Sequence, residues 1–440
     1  MIHTAEMKLC IDPDLTWVFR YMLTRLGISN EEAYSFVEKI PRMQDLGDGY
    51  FPKVSSKLQE QLDIYNENNR YKAIHDFKVS YAYDCCYLSF RIDLNQLLTG
   101  KKSVKLFEGS EENRKLLYEK YQLFMRELFP PPLVDNWESI DKEEYYEDGI
   151  FYEDSYLDEI SKDGYEGLKK VYDFHCADFV RVDFSANIDV EKDLEDLVPL
   201  YIILLNKSVH SKQLKRPDKD KAAWKYNNLY RSNGSTAVTI YDKYQEVCSR
   251  IPEEGQEHAD AKGILRFEVQ YKKARISRLY SKYREENFNK AEELVRTLDI
   301  GWLEALSQLQ PFNDKILSEE FSLDILSKTA NQLLPHGDWY NKYYAEKKIN
   351  DTLKKESTAA NKVIDFLELV QNSQSLEKGY ENFTSTCSSV TYQTRIKQLR
   401  ECGVAPYLIP RHLYSKYGLA ERLKEGMLPN PFKKLQGICC

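Results

Sequence analysis

VRVDFSANI at residues 180–188, VTIYDKYQEV at 238–247 and LRFEVQYK at 265–272 decide how this chain is read. Taken at a period of two, the first block places Val182, Phe184, Ala186 and Ile188 on one face and Arg181, Asp183, Ser185 and Asn187 on the other. The third places Leu265, Phe267, Val269 and Tyr271 opposite Arg266, Glu268, Gln270 and Lys272. Both are amphipathic strands. Between them, Ala237-Val238-Thr239-Ile240 reads as a strand that runs into Tyr241, Asp242 and Lys243, with Glu246 within the next turn or two of chain. A phenol, an ammonium and carboxylates this close supply a nucleophile, a cation for phosphate oxygens and hard oxygen ligands for a divalent metal.

Working outward, the chain has 440 residues, enough for two or more domains, and its 42% apolar and 30% charged fractions are those of a soluble globular protein. No window approaches the roughly 18 apolar residues of a spanning helix, and the opening MIHTAEMKLCID has no signal-peptide core, so a cytoplasmic protein is expected. Nine cysteines, two adjacent pairs among them and no CxxC, read as reduced thiols rather than disulfides or a zinc site.

Charge is distributed unevenly. The net charge of −8 argues against a general coat of nucleic-acid affinity, and residues 135–163 form a strongly acidic segment that reads as an insertion or surface loop. Residues 207–231, in contrast, collect Lys207, Lys212, Lys215, Arg216, Lys219, Lys221, Lys225 and Arg231 against only Asp218 and Asp220. A second basic cluster, Lys272, Lys273, Arg275, Arg278, Lys282 and Arg284, follows the third block. The two clusters bracket Tyr241, and Trp224, Tyr226 and Tyr230 are available to stack on unpaired bases. Each cluster is also readable as a solvated helix face, and the aromatics as packing residues.

Further along the chain, residues 6–11 and 85–94 read as strands, and 15–26, 111–128 and 191–206 as helices. Prolines 130–132 stop the second helix. From about residue 277 strand patterns cease and helical periods take over. The expected organisation is an α+β catalytic domain over residues 1–280 with an antiparallel sheet and the acidic insertion, then a helical region over 281–440 that grips DNA or a partner.

A tyrosine with an ordinary pKa near 10 needs help to attack a phosphodiester at neutral pH. Lys243 and Arg266 are candidates to balance phosphate charge. Asp183 and Glu268, on the polar faces of their strands, are candidates to hold Mg²⁺ or Mn²⁺, and Glu246 either joins that shell or orients Lys243. The same alternation also suits a half-solvated sheet in which Arg181, Asp183, Arg266 and Glu268 form a surface ion-pair ladder. The seven histidines form no HxH or HExxH pair, and no Walker A, GxGxxG or GxSxG motif occurs. ATP-driven, dinucleotide and serine-hydrolase readings drop out.

In their order and spacing the three blocks resemble the gene II/X family of replication initiators from filamentous phages, with relatives on rolling-circle plasmids and mobile elements. LSFRIDLNQLLTG at 88–100 and IKQLRECGV at 396–404 are weaker echoes. The resemblance implies an enzyme that nicks one strand at a double-stranded origin, keeps the 5′ phosphate on a tyrosine and later rejoins the displaced single strand. A host helicase and polymerase would be its partners. The family's Tyr-x-Lys-x-x-Glu falls on Tyr241, Lys243 and Glu246, its acidic strand residue on Asp183 and its Arg-Phe-Glu on Arg266, Phe267 and Glu268. Its topology is similar to that of nicking enzymes built on a His-hydrophobic-His metal site, a pair this chain lacks. Metal ligation by Asp183 and Glu268 therefore rests on residue chemistry alone. The DNA grip is expected from Lys212, Lys215, Arg216, Lys225, Arg231, Lys272, Lys273 and Arg275. A non-catalytic origin or single-strand binder and a conjugative relaxase are the competing readings.

Overall fold

The computed structural model describes residues 1–11, 16–38, 54–69, 72–82, 85–129, 170–215, 228–355 and 357–437. The expected acidic insertion at 135–163, together with Arg216, Trp224, Lys225 and Tyr226, lies outside the described residues.

Seven strands form one sheet: β1 (Ile2–Ile11), β2 (Ile74–Ala82), β3 (Cys85–Asp93), β4 (Asp178–Asp189), β5 (Leu229–Ser232), β6 (Thr236–Asp242) and β7 (Ile264–Lys272), in the order β2-β3-β1-β4-β7-β6-β5. The pairings of β3 with β1 and β2, and of β6 with β5 and β7, are antiparallel. The helices used below are α1 (Thr16–Arg25), α2 (Glu111–Leu128), α3 (Val198–Ser208), α4 (Lys243–Arg250), α5 (Gln256–Ala261), α6 (Lys273–Leu298), α7 (Glu319–Leu333), α8 (Thr358–Asn372), α9 (Leu376–Thr384) and α10 (Ser389–Glu401). The C-terminal region is mainly helical, as expected, but carries a two-stranded ladder of Trp339–Tyr340 with Met427–Leu428 that its helical periods did not announce. Among the described residues no helix is long and apolar enough to cross a membrane.

Two compact units make up the chain: Met1–Val182 with Lys273–Glu319, and Asp183–Lys272 with Glu320–Cys440. Each is assembled from two separated segments, so the organisation does not follow a single cut near residue 280. Sequence periods report local structure, whereas a unit is defined by which distant segments pack together.

In the first unit the apolar sides of β2 and β3 meet α2. Phe77 stacks on Phe124 and lies beside Phe90, which in turn touches Tyr121. Ser110 caps α2 by accepting from the Asn113 amide, a substitute for the missing intrahelical acceptor.

In the second unit, Phe184, Val238, Ile240, Leu265, Phe267 and Val269 form the apolar face of β4, β6 and β7 and are all but inaccessible to water. Each such Val, Leu or Phe contributes roughly 1.5–3 kcal/mol by leaving solvent. Helix α3 follows a 3-10 segment, Lys192–Leu197, and begins with Pro199 in its first turn, where a missing N–H costs nothing. Sequence periodicity alone merged the two into one helix. Nearly every side of α3 is apolar, with Leu200, Tyr201, Ile202, Leu204 and Leu205 buried, and the helix lies against β5 and β6.

The opposite, polar face is the main departure from expectation. Asp183, Ser185 and Arg266 are 3%, 0% and 0% exposed, so this face is not a solvated surface ladder. Strand β5 was also not foreseen. It has four residues inside a basic segment, too few for a visible alternation.

Candidate active site

The chain turns from strand to helix at Asp242. Its carboxylate accepts from the amides of Tyr244 and Gln245, at 2.9 and 3.2 Å, and so caps α4. Burial pushes the Asp242 carboxyl up, and these two amides oppose the shift. The cap fixes two neighbours in different elements: Tyr241 ends the polar face of β6, and Lys243 is the first residue of α4.

Strand register then supplies the phenol's partner. Tyr241 stands opposite Arg266, and Thr239 opposite Glu268. Residues two apart on a strand share a face, so Tyr241, Arg266 and Glu268 converge. The Tyr241 hydroxyl donates to Glu268 Oε1 at 2.9 Å. Arg266 Nη1 lies 3.9 Å from the same oxygen, while its Nε donates to Asn187 Oδ1 at 2.6 Å. On the same face Gln270 donates to Asp183 at 3.0 Å. Ser185 lies between Asp183 and Asn187 on the polar side of β4. Ser185 Oγ is buried with no partner among the described residues.

A second line of charges runs along α4. Lys243 Nζ meets Glu246 Oε2 at 2.5 Å, Glu246 Oε1 meets Arg250 Nε at 3.4 Å, and Arg250 Nη2 meets Glu257 of α5 at 2.8 Å. The i, i+3 and i, i+4 spacings make this a helix-surface chain, although its first member is buried.

Electrostatics follow from that burial. Burial, and then the Glu268 charge, raise the Tyr241 phenol well above its usual range, with Arg266 opposing. The resting phenol is therefore neutral. Lys243 is lowered by burial and by Arg266, against the pull of Glu246 and Glu268. Burial raises Glu246, but Lys243 and Arg250 outweigh it and hold the carboxyl below its ordinary value.

The sequence-derived residues thus divide. Tyr241, Arg266 and Glu268 come together, with Asp183 on the same face and Lys243 close enough to feel Arg266 and Glu268. Glu246 is committed to Lys243 and Arg250, which fits orientation of the lysine and not metal ligation. No group of three or more His, Cys, Asp or Glu side chains among the described residues is arranged to hold a metal ion. Asp183 accepts from Gln270 and Glu268 from Tyr241 on this face. A Mg²⁺ ion that keeps its waters and a substrate phosphate uses one or two carboxylates, so Asp183 or Glu268 suits such an ion in ligand type.

The expected DNA contacts also divide. Lys212 and Lys215 are exposed, Lys212 lying 5.2 Å from the Tyr380 ring centroid. Lys272 is half-buried and donates to the Asn233 carbonyl at 3.0 Å. Lys273 is exposed and Arg275 half-buried in the first turn of α6, in the first unit. Arg231 departs from the expectation. Its register opposite Val238 puts it on the apolar face, 2% exposed, with Nη2 at 3.9 Å from Glu377, so it is not a surface cation. Asn187 and Gln270 join the site only through tertiary contacts, and Arg250 through its i, i+4 pairing with Glu246. The first two were legible as polar-face positions, but their partners depend on strand pairing.

No family model, curated protein or solved structure matches this chain.

Proposed function

We propose that this protein is a site-specific single-strand DNA nicking and rejoining enzyme of the rolling-circle initiation type, with Tyr241 as its nucleophile. The observation that carries the proposal is the 2.9 Å hydrogen bond from the Tyr241 hydroxyl to Glu268, backed by the buried Arg266. A nucleophile held by a base that is itself positioned by a third group is the recurring arrangement of covalent catalysis. The order of the three sequence blocks supports the replication role.

In this reading Glu268 takes the phenolic proton as the Tyr241 oxygen attacks phosphorus. The bond from phosphorus to the 3′ oxygen breaks, the 5′ phosphate becomes esterified to Tyr241, and Lys243 protonates the departing 3′ oxygen. Arg266 stabilises charge on the phosphoryl oxygens. The reverse sequence, with a 3′ hydroxyl attacking the phosphotyrosine, rejoins the strand without ATP. Asp183 and the Glu268 oxygen that does not meet Tyr241 are the groups that would hold a Mg²⁺ or Mn²⁺ ion, whose contribution would be polarisation of the scissile phosphate.

The test is an incubation of the full chain with supercoiled plasmids carrying candidate origins, then with a labelled suicide oligonucleotide and mass spectrometry of the adduct. Nicking with the label on Tyr241, both lost in Tyr241→Phe, is the expected result. A label on Tyr230 would move the site, and strand cleavage that persists in Tyr241→Phe would refute this chemistry. One observation favours a second reading, a non-catalytic origin or single-strand binder: Lys243 and Arg266 are 4% and 0% exposed and already engaged by Glu246 and Asn187. That reading expects salt-sensitive DNA retention with no nick in wild type.

A further inference from the structure

The second unit contains a cavity of about 350 Å³ that the Tyr241 chemistry does not use. Gln393, Ile396, Lys397 and Arg400 line it from one face of α10, as their spacing of three, four and seven residues requires. His336, just beyond the end of α7, and His210, just beyond α3, complete the polar part. Leu376 and Val404 contribute to the apolar part.

Its chemistry is one-sided. Among the described residues the lining includes Lys397 and Arg400 and no Asp or Glu. Arg400 is exposed and has no carboxylate partner among the described residues. Lys397 has only the exposed Glu401, at 3.9 Å. A pair so open to solvent compensates little charge.

Three of the four ring nitrogens of the two lining histidines are out of reach of solvent. His336 Nε2 lies 2.9 Å from the Asn331 carbonyl oxygen, so in the neutral ring the hydrogen is on Nε2 and Nδ1 is an acceptor. That Nδ1 is buried without a partner. Both ring nitrogens of His210, whose ring stacks 4.4 Å from that of Tyr380, are likewise buried and unpartnered. Burial lowers the proton affinity of both rings, in keeping with neutral imidazoles. Atoms so closed to water are closed to a ligand in the cavity as well, so these rings serve as part of its wall.

We propose that this cavity binds a small organic phosphate bearing hydroxyl or amino groups, of the size of a nucleoside monophosphate. Lys397 and Arg400 meet the phosphate, the apolar wall takes the body, and the exposed Gln393 amide exchanges hydrogen bonds with its polar edge. The volume lies within the roughly 300–1,000 Å³ of small-molecule sites, well beyond what a bare phosphate ion occupies. The proposal is independent of any role for Tyr241.

Isothermal titration of the full chain with adenosine 5′-monophosphate and with ribose 5-phosphate tests it, with inorganic phosphate and a 5′-phosphorylated oligonucleotide as further arms. Saturable binding of at least one of the two small phosphates, at least tenfold tighter than inorganic phosphate, is expected. That binding should weaken at least tenfold in Arg400→Ala, which alters an exposed side chain, and in Lys397→Ala, while Tyr241→Phe leaves it unchanged. Four results would overturn the proposal: no binding of either small phosphate, equal affinity for inorganic phosphate, a stronger preference for the oligonucleotide end, or full affinity in both α10 variants.

Discussion

Strands β3 and β7 carry nearly the same pattern and put it to opposite use. In the first unit Arg91 of β3 pairs with Asp76 at 2.8 Å, the side chains 31% and 45% exposed. In the second, Arg266 of β7 stands near Glu268 with its own side chain 1% exposed, sharing that carboxylate with a phenol. Alternation puts an arginine on the polar face in both cases. Only in β7 is the arginine itself withdrawn from water, so its charge needs partners to survive burial and each partner is held in a fixed place. An exposed ion pair is nearly neutral for folding, whereas a buried network costs stability when broken and positions reactive groups.

That contrast can be broken experimentally. The largest effect expected is chemical: Tyr241→Phe removes the covalent DNA adduct altogether in the suicide-substrate assay, while removal of a hydroxyl bound to a carboxylate shifts stability by only about 1–3 kcal/mol. Arg266→Ala should destabilise the protein by about 3–5 kcal/mol in urea melts, because it leaves Glu268 and Asn187 without their guanidinium partner in a buried setting. A loss below about 1 kcal/mol would show that this face behaves like the exposed one.

Acid titration sharpens the comparison further. Glu246 has a folded-state value below its ordinary 4.5, so it contributes stability above that pH and loses it as pH falls through the lowered value. Glu246→Gln should flatten this acid limb in stability measurements between neutrality and pH ~3 by about 1 kcal/mol or less. An unchanged limb would mean that the Lys243–Glu246–Arg250 chain carries no coupling. The smallest effect is expected from Arg91→Ala, about 0.5 kcal/mol or less in the same melts. A loss comparable to that of Arg266→Ala would abolish the contrast between the two strands.

Much of the architecture was legible because alternation is a local property. The polar and apolar sides of β4 and β7, and the run of β6 into the tyrosine, follow from side-chain order alone. Strand β5 was missed because four residues in a basic segment give too short a period. The 3-10 turn before α3 has the same apolar spacing as the helix it leads into, and only Pro199 in the first turn marks the boundary. Arg231 was grouped with the DNA-facing cations because charge is visible in sequence and burial is not. Its pairing with Val238 turns it to the apolar side, where Glu377 from a segment far along the chain answers it.

Sequence alone determined which side chains share each strand face and that a phenol, an ammonium and a carboxylate lie within one short stretch, since both are consequences of covalent order and backbone geometry. Tertiary structure decided that Asp183, Ser185 and Arg266 on the polar face of β4 and β7 are buried, that Glu268 and not Glu246 meets Tyr241, and that two histidines and two α10 cations line one cavity. Those outcomes depend on strand register and on which remote segment excludes water, and neither is encoded at the range of a strand or a turn.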